Sequence, residues 1–264
     1  PSASYDKFQL LLQKGYEPQY TRNALQLNNG DGTFSDIAFL SHVSSTDWSW
    51  SALFADYDND GDKDLMVTNG FYRDLGDQDY IHYQAKLNNP MGNQSAKREE
   101  KLKAVKALAN IPLQDYLFEN NNDLTFTKRS TDWGFNEPGF SNGACYADLD
   151  NDGDLELIIN QFNSKAKIFK NNAHELFKNN YLSIKLKGIL PNKDAIGSKV
   201  YVYTKGGMQM EELNPYRGYE SSMEPVLHFG IGKNTAVDSI KIIWPDGAHQ
   251  KEINIKANQV VNIA

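Results

Sequence analysis

The sequence predicts a mainly β fold: blades of a β-propeller with a helical insertion, then a small antiparallel β-sandwich-like domain. Three observations lead there. Two acidic stretches, 56–64 and 148–156, each run into an apolar, strand-like segment and stand 92 residues apart. A third echo, Asn171-Asn172, follows Asn120-Asn121 after only 51 residues. From about residue 178 to the end, apolar and polar residues alternate in short runs and no acidic stretch recurs.

The first two observations define a repeat. Asn28-Asn29 aligns with Asn120-Asn121, Phe34 with Phe126 and Asp56 with Asp148, without a gap from Leu25/Leu117 to Asn69/Gln161. The shorter spacing of 51 is the period, and the excess in the longer one is an insertion at about 71–111, placed between blades. That segment is less β-like and contains SAKREEKLKAVKALANIP, where Leu102, Val105 and Leu108 recur at helical spacing until Pro112. Within a unit, GDGTF is a turn between strands. WSWSALFAD is a strand with Trp48, Trp50, Ala52 and Phe54 on one face, expected to pack between blades. A unit of about 50 residues with four short strands cannot bury both faces alone, which is the profile of a propeller blade. Two clear units are fewer than closure needs, so the chain is expected to be a piece of a longer protein. The division expected is 1–177 for blades and 178–264 for the β domain, the latter folding on its own.

The chain has 264 residues and a net charge of −7, which argues against nucleic acid or an anionic membrane as the main partner. Ten of its 34 acids lie in the two acidic stretches. A solvated acidic tail would lack flanking strands, so a bound cation is the better reading. No apolar run approaches the ~20 residues of a membrane span, and no basic-then-apolar leader follows Pro1. Cys145, the sole cysteine, rules out an intrachain disulfide and is expected to be a small buried residue.

Both stretches read D-x-D-x-D-G-x-x-[DE]. Carboxylates at alternate positions wrap around one point, and Gly61 and Gly153 permit the sharp turn. The expected ligands are Asp56, Asp58, Asp60, Asp62 and Asp64 in one loop and Asp148, Asp150, Asp152, Asp154 and Glu156 in the other. Asp62 and Asp154 contribute through their carbonyls. Hard, oxygen-only ligands in flexible geometry select Ca²⁺, one ion per loop, over zinc, copper or magnesium. An EF-hand is excluded, because its twelfth position is Val67 or Ile159 here and a strand, not a helix, follows. Each ion would cancel the repulsion and turn its binding energy into folding energy.

With those residues in view, LNNGDGTFSDIA followed by ADYDNDGDKDLMVTN, and ENNNDLTFTKRS followed by ADLDNDGDLELIIN, resemble FG-GAP repeats of the VCBS type. The resemblance implies a calcium-binding β-propeller with the ten acids above as its metal ligands. The second copy has Asn122-Asp123-Leu124 in place of the GDG turn. NYLSIKLKG, NKDAIGSKVYVY, YRGYESSMEPVLHFGIG and VDSIKIIWPDG resemble the ASPIC and UnbV domain, for which no catalytic activity is implied. Inward residues are expected at Leu182, Ile184 and Leu186 and at Ile240, Ile242 and Trp244.

No nucleophile elbow, phosphate loop, dinucleotide fingerprint or paired-histidine spacing appears among His42, His82, His174, His228 and His249. His228 reads as a structural histidine. The leading function is therefore a non-catalytic, calcium-stabilised binding or adhesion module, extracellular or on a cell surface such as a bacterial outer membrane, recognising a protein or glycan. Trp48 and Trp50 would be the sugar-stacking platform if one exists, and the helical insertion the place for partner contacts. The alternatives are a polysaccharide lyase or hydrolase on a propeller platform, and an accessory surface lipoprotein of an outer-membrane nutrient-uptake complex.

Overall fold

The computed structural model describes residues 5–18, 20–87 and 94–264; residues 88–93 of the expected insertion lie outside them. The chain is mainly β and packs as two compact units, Pro1–Asp47 with Phe71–Pro112, and Trp48–Gly70 with Leu113–Ala264.

The first unit holds α1 (Tyr5–Gln13), the hairpin of β1 (Gln26–Asn28) and β2 (Phe34–Asp36), and the helices α2 (Gln78–Leu87) and α3 (Gln94–Ala107). Helix α3 is the expected Lys-rich helix, built from good helix formers and ended ahead of Pro112. Helix α2 was not expected. The Asp77 carboxylate caps it, accepting from the Tyr80 N–H at 2.8 Å, and Tyr80 is buried.

The second unit carries the repeat. Strands β3 (Ser49–Ala55), β4 (Asp64–Asn69), β5 (Tyr116–Asn120) and β6 (Phe126–Lys128) form a four-stranded antiparallel sheet in sequence order. Strands β7 (Ser141–Ala147), β8 (Glu156–Gln161) and β9 (Lys167–Phe169) form a three-stranded one. β7 and β8 start and end 92 residues after β3 and β4. Each sheet is a blade-like meander. Leu53, Met66 and Leu117 of the first share a core with Ala144, Leu157 and Ile159 of the second, and Phe135 stacks on Phe169 at 4.1 Å.

Three expectations are corrected here. The insertion does not lie between blades: it leaves after β4 and returns before β5, which are hydrogen-bonded neighbours in one sheet (Leu65 opposite Phe118, Val67 opposite Tyr116). Its ends are pinched by the Phe71–Ile111 bridge. The covered face of β3 is Ser51, Leu53 and Ala55, not the face of Trp50, Ala52 and Phe54, which is exposed. Small residues on the covered face let the neighbouring chain approach: the Ser51 hydroxyl donates to the Asn142 carbonyl at 3.0 Å and accepts from the Tyr219 N–H at 2.8 Å. Trp50 instead donates its indole N–H to Gly70 O at 2.7 Å and lies against the Tyr219 ring. Cys145 is only partly buried.

The turn in which GDG is replaced keeps its shape. Asn122 and Leu124 adopt φ of 58° and 71°, where the first copy has Gly30 and Gly32 at 79° and 89°. The hooks are also kept, since the Thr33 and Thr125 N–H groups donate to Asp31 and Asp123 at 2.9 and 3.0 Å. Asparagine tolerates the left-handed region; leucine enters it only at a cost in strain.

After α4 (Ala173–Phe177) the chain builds a sandwich. One sheet has β10 (Asn180–Leu186) between β13 (Val226–Gly232) and β16 (Val260–Ile263); the other orders β12 (Gly207–Glu212), β11 (Lys199–Thr204), β14 (Ala236–Ile243) and β15 (His249–Lys256). All neighbours are antiparallel except β10 and β16, which run parallel. Leu182, Ile184, Leu186, Ile240 and Ile242 point into the core as expected, with Trp244 packed against it. Ser183, on the other face of β10, is buried as well, because that face is covered.

Replacing Leu124 by Gly should stabilise the protein by about 0.5–1 kcal/mol, the relief of left-handed strain outweighing the added freedom of the unfolded chain. A thermal melt should show a rise of roughly 1–4 °C, whereas Leu124→Ala should give none. Replacing 72–110 by a short Gly/Ser linker should leave the β-type circular dichroism and a cooperative melt, because bridged residues stand only about 5 Å apart. Loss of that melt would make the segment part of the core.

Candidate metal centre

Each acidic loop joins two paired strands, β3 to β4 and β7 to β8, and is knotted by its own backbone. The fourth residues, Asn59 and Asn151, take φ of 60° and 61°; Gly61 and Gly153 follow at 111° and 93°. The first carboxylate accepts from the sixth N–H in both copies: Gly61 to Asp56 at 2.9 Å and Gly153 to Asp148 at 3.1 Å. The ninth is gripped twice. Asp64 accepts from Tyr57 N–H at 3.1 Å and Asn120 N–H at 2.9 Å; Glu156 accepts from Leu149 N–H at 2.8 Å and Asn171 N–H at 3.2 Å. The NN echo thus has a physical cause: its first Asn fixes the closing acid of the preceding loop.

These knots gather Asp56, Asp58 and Asp64 in one group and Asp148, Asp150 and Glu156 in the other, each offering oxygens within 4.8 Å of one another. The remaining four expected residues stand outside these groups. Asp60 and Asp152 accept from the N–H two residues on, both at 3.0 Å. The Asp154 carboxylate accepts from Asn59 Nδ2 at 3.0 Å and from His174 N–H at 2.6 Å, so its side chain is committed elsewhere. Asp62 has a buried Oδ1 without a protein partner, as does Asp148.

The first group is the deeper. Asp56, Asp58 and Asp64 are 1%, 7% and 1% exposed. Burial pushes Asp56 up to about 8, Asp64 to about 9 and Asp58 to about 6. Lys63, inside the loop, is turned away: it pairs with Glu211 and donates to His228 O at 3.2 Å. In the second loop burial raises Asp148 and Glu156, whereas a hydrogen bond from Lys170, at 2.7 Å, lowers exposed Asp150. Three crowded carboxylates in each loop, with an unmet buried oxygen on Asp148 and with Lys63 and Lys170 offsetting only part of the charge, fit a hard divalent ion.

Residues beyond the motif hold the loops in place. Asn59 Nδ2 also donates to Gly153 O at 3.0 Å, and its Oδ1 meets His228 Nε2 at 2.7 Å. Asn59 O accepts from Gly232 N–H at 2.9 Å, and Asn179 Nδ2 donates to Asp58 O at 2.8 Å. A Cβ on Gly230 would collide with Asp56 and Asn59, and one on Gly153 would fall inside the Tyr181 ring. Both loops therefore lie directly on strands of the sandwich. His228 is structural, with Nδ1 at 3.1 Å from Ser183 Oγ and its pKa pushed down to about 3 by burial. Nothing in the sequence local to Asn59, His228 or Gly230 pairs them.

A cavity of about 510 Å³ opens beside the first loop, lined by Tyr57, Trp133, Phe135, Phe169, Lys170 and neighbours. No helix among the described residues is long and apolar enough to cross a membrane.

Comparison with known proteins agrees with this geometry. The FG-GAP-like repeat profile matches residues 11–67 and 107–159, covering both loops, and the ASPIC and UnbV profile matches 188–264, most of the sandwich. Cartilage acidic protein 1 of Xenopus tropicalis is 29% identical over 85% of this chain and 38% of its own length. Cartilage acidic protein 1 of Homo sapiens is 37% identical over 41% of the chain and 16% of its own length. The chain spans well under half of the curated relatives it matches. It carries FG-GAP-like repeats followed by an ASPIC and UnbV domain, and it is homologous to cartilage acidic protein 1.

Proposed function

We propose that this chain is a calcium-stiffened, non-catalytic binding module that works outside the cell or on its surface and recognises a protein or a glycan. The observation that carries the reading is the depth of the first acidic group. Three carboxylates between 1% and 7% exposed, pressed against the sandwich, would hold a cation beyond the reach of a substrate. Such an ion braces the fold. When bound, calcium supplies charge neutralisation and a rigid oxygen cage. Asp56, Asp58 and Asp64 would hold one ion and Asp148, Asp150 and Glu156 the other, with Asp60, Asp62, Asp152 and Asp154 shaping the loops.

The surroundings support a role outside the cell. Loops of this kind suit the high calcium found there, and a single cysteine does not stand against it, because bound metal can supply the rigidity a disulfide would. The relatives' name, cartilage acidic protein, points the same way.

Calcium at about a hundredfold above its dissociation constant should add ~2.7 kcal/mol per site, or roughly 5–10 °C of melting temperature for each. Equal melting curves in chelator and in excess calcium would remove the metal from the reading. Asp58→Ala and Asp150→Ala should each lower calcium stoichiometry by about one ion per chain, measured by calorimetry. On immobilised glycan and protein panels the intact protein should retain a ligand in calcium, release it in chelator and leave it chemically unchanged. Depolymerised polysaccharide in the same assay would replace the binding module with an enzyme.

A further inference from the structure

The two acidic loops touch through one side chain that belongs to neither set of clustered carboxylates. Asn59, 1% exposed, donates both of its amide hydrogens into the second loop, to Gly153 O and to Asp154 Oδ1, each at 3.0 Å. Its amide oxygen is then left to accept, and the group facing it is His228 Nε2 at 2.7 Å. His228 is accordingly the neutral tautomer with its proton on Nε2, and its Nδ1 faces Ser183 Oγ. Asn59 O takes the Gly232 N–H. Every polar group of the Asn59 side chain is satisfied, the amide hydrogens by the second loop and the oxygen by His228 of the sandwich. Its counterpart in the second loop, Asn151, is exposed.

The positions it touches matter. In the second loop, Gly153 N–H holds the first carboxylate, Asp148, while Asp154 follows directly. Asn59 thus fixes the stretch that runs from the first carboxylate to the seventh residue. In its own loop, Asn59 lies between Asp58 and Asp60, and Asp60 N–H reaches both Asp56 Oδ1 and Asp58 Oδ1, at 3.1 and 3.2 Å. Ordering either loop around an ion orders the residue that positions the other.

We propose that Asn59 couples the two metal centres, so that a cation in one loop raises the affinity of the other. This rests on the reading of the loops as calcium sites. The coupling is reciprocal, since each ion lessens the ordering left for its partner. Asn59 is a positioning residue in both sites and contributes none of the carboxylates of either.

Calorimetric calcium titration tests it on four proteins: wild type, Asp58→Ala (second site only), Asp150→Ala (first site only) and Asn59→Ala. The product of the two wild-type association constants should exceed the product of the two single-site constants by about tenfold. In Asn59→Ala that excess should vanish while two ions still bind. Should Asn59→Ala fail to melt cooperatively, Asp154→Ala removes one of its two acceptors in the second loop, keeps the backbone carbonyl, and should reduce the same excess. Equal products in wild type, or an excess that survives both substitutions, would overturn the coupling and leave the two metal sites standing. No calcium binding by wild type would sink the metal reading and the coupling together.

Discussion

Like charges held at close range inside a protein are costly, and the second unit is arranged around that cost. Asp56, Asp58 and Asp64 are buried with oxygens within 4.8 Å of one another. In a low-dielectric interior such a group must take up protons or gain a cation. Most of what surrounds it fixes the geometry of the negative charge without cancelling it: backbone N–H groups of Tyr57, Asp60, Gly61 and Asn120. The glycine at 230 lets a sandwich strand come within contact of Asp56, and Asn179 takes the Asp58 carbonyl. Strand pairing, loop shape and sandwich docking therefore converge on one small volume.

Much of the fold was legible because it repeats. An offset of 92 residues placed β7 and β8 from β3 and β4, and the shorter offset of 51 pointed to β9 after β5. Alternation also located the inward faces of β10 and β14. What alternation could not decide was which side of a two-faced strand is covered. β3 has Leu53 and Ala55 on one side and Trp50 and Phe54 on the other. Bulk suggested the tryptophans, but a serine able to bond two neighbouring backbones set the closer contact. The parallel pairing of β10 with β16 was equally hidden, since it joins strands about 80 residues apart with no local signature.

The centre itself was half legible. Spacing alone named the acids at the first, third and ninth positions, because geometry around a point needs that periodicity. It did not separate the fifth-position acids Asp60 and Asp152, which accept the N–H two residues on, from those that meet at the centre. Asp154 was expected to act through its carbonyl, and its carboxylate is free of that duty, taken by Asn59 and His174. The contacts that seat the loops on the sandwich were invisible for a different reason. Asn59 and His228 are 169 residues apart, and neither carries a pattern that predicts the other. The same contacts explain why the compact units do not follow the strand-rich and repeat-rich halves of the sequence.

The pinch at Phe71 and Ile111 has an evolutionary side. Because both ends of the excursion leave from one bridge between adjacent strands, its length and content can change while the sheet keeps its register. Descendants of one ancestral blade could exchange, shorten or elaborate this segment freely, and the same opening would accept an epitope tag or a reporter domain. Variation among related chains should then pool here, while the loops on the sandwich stay as they are.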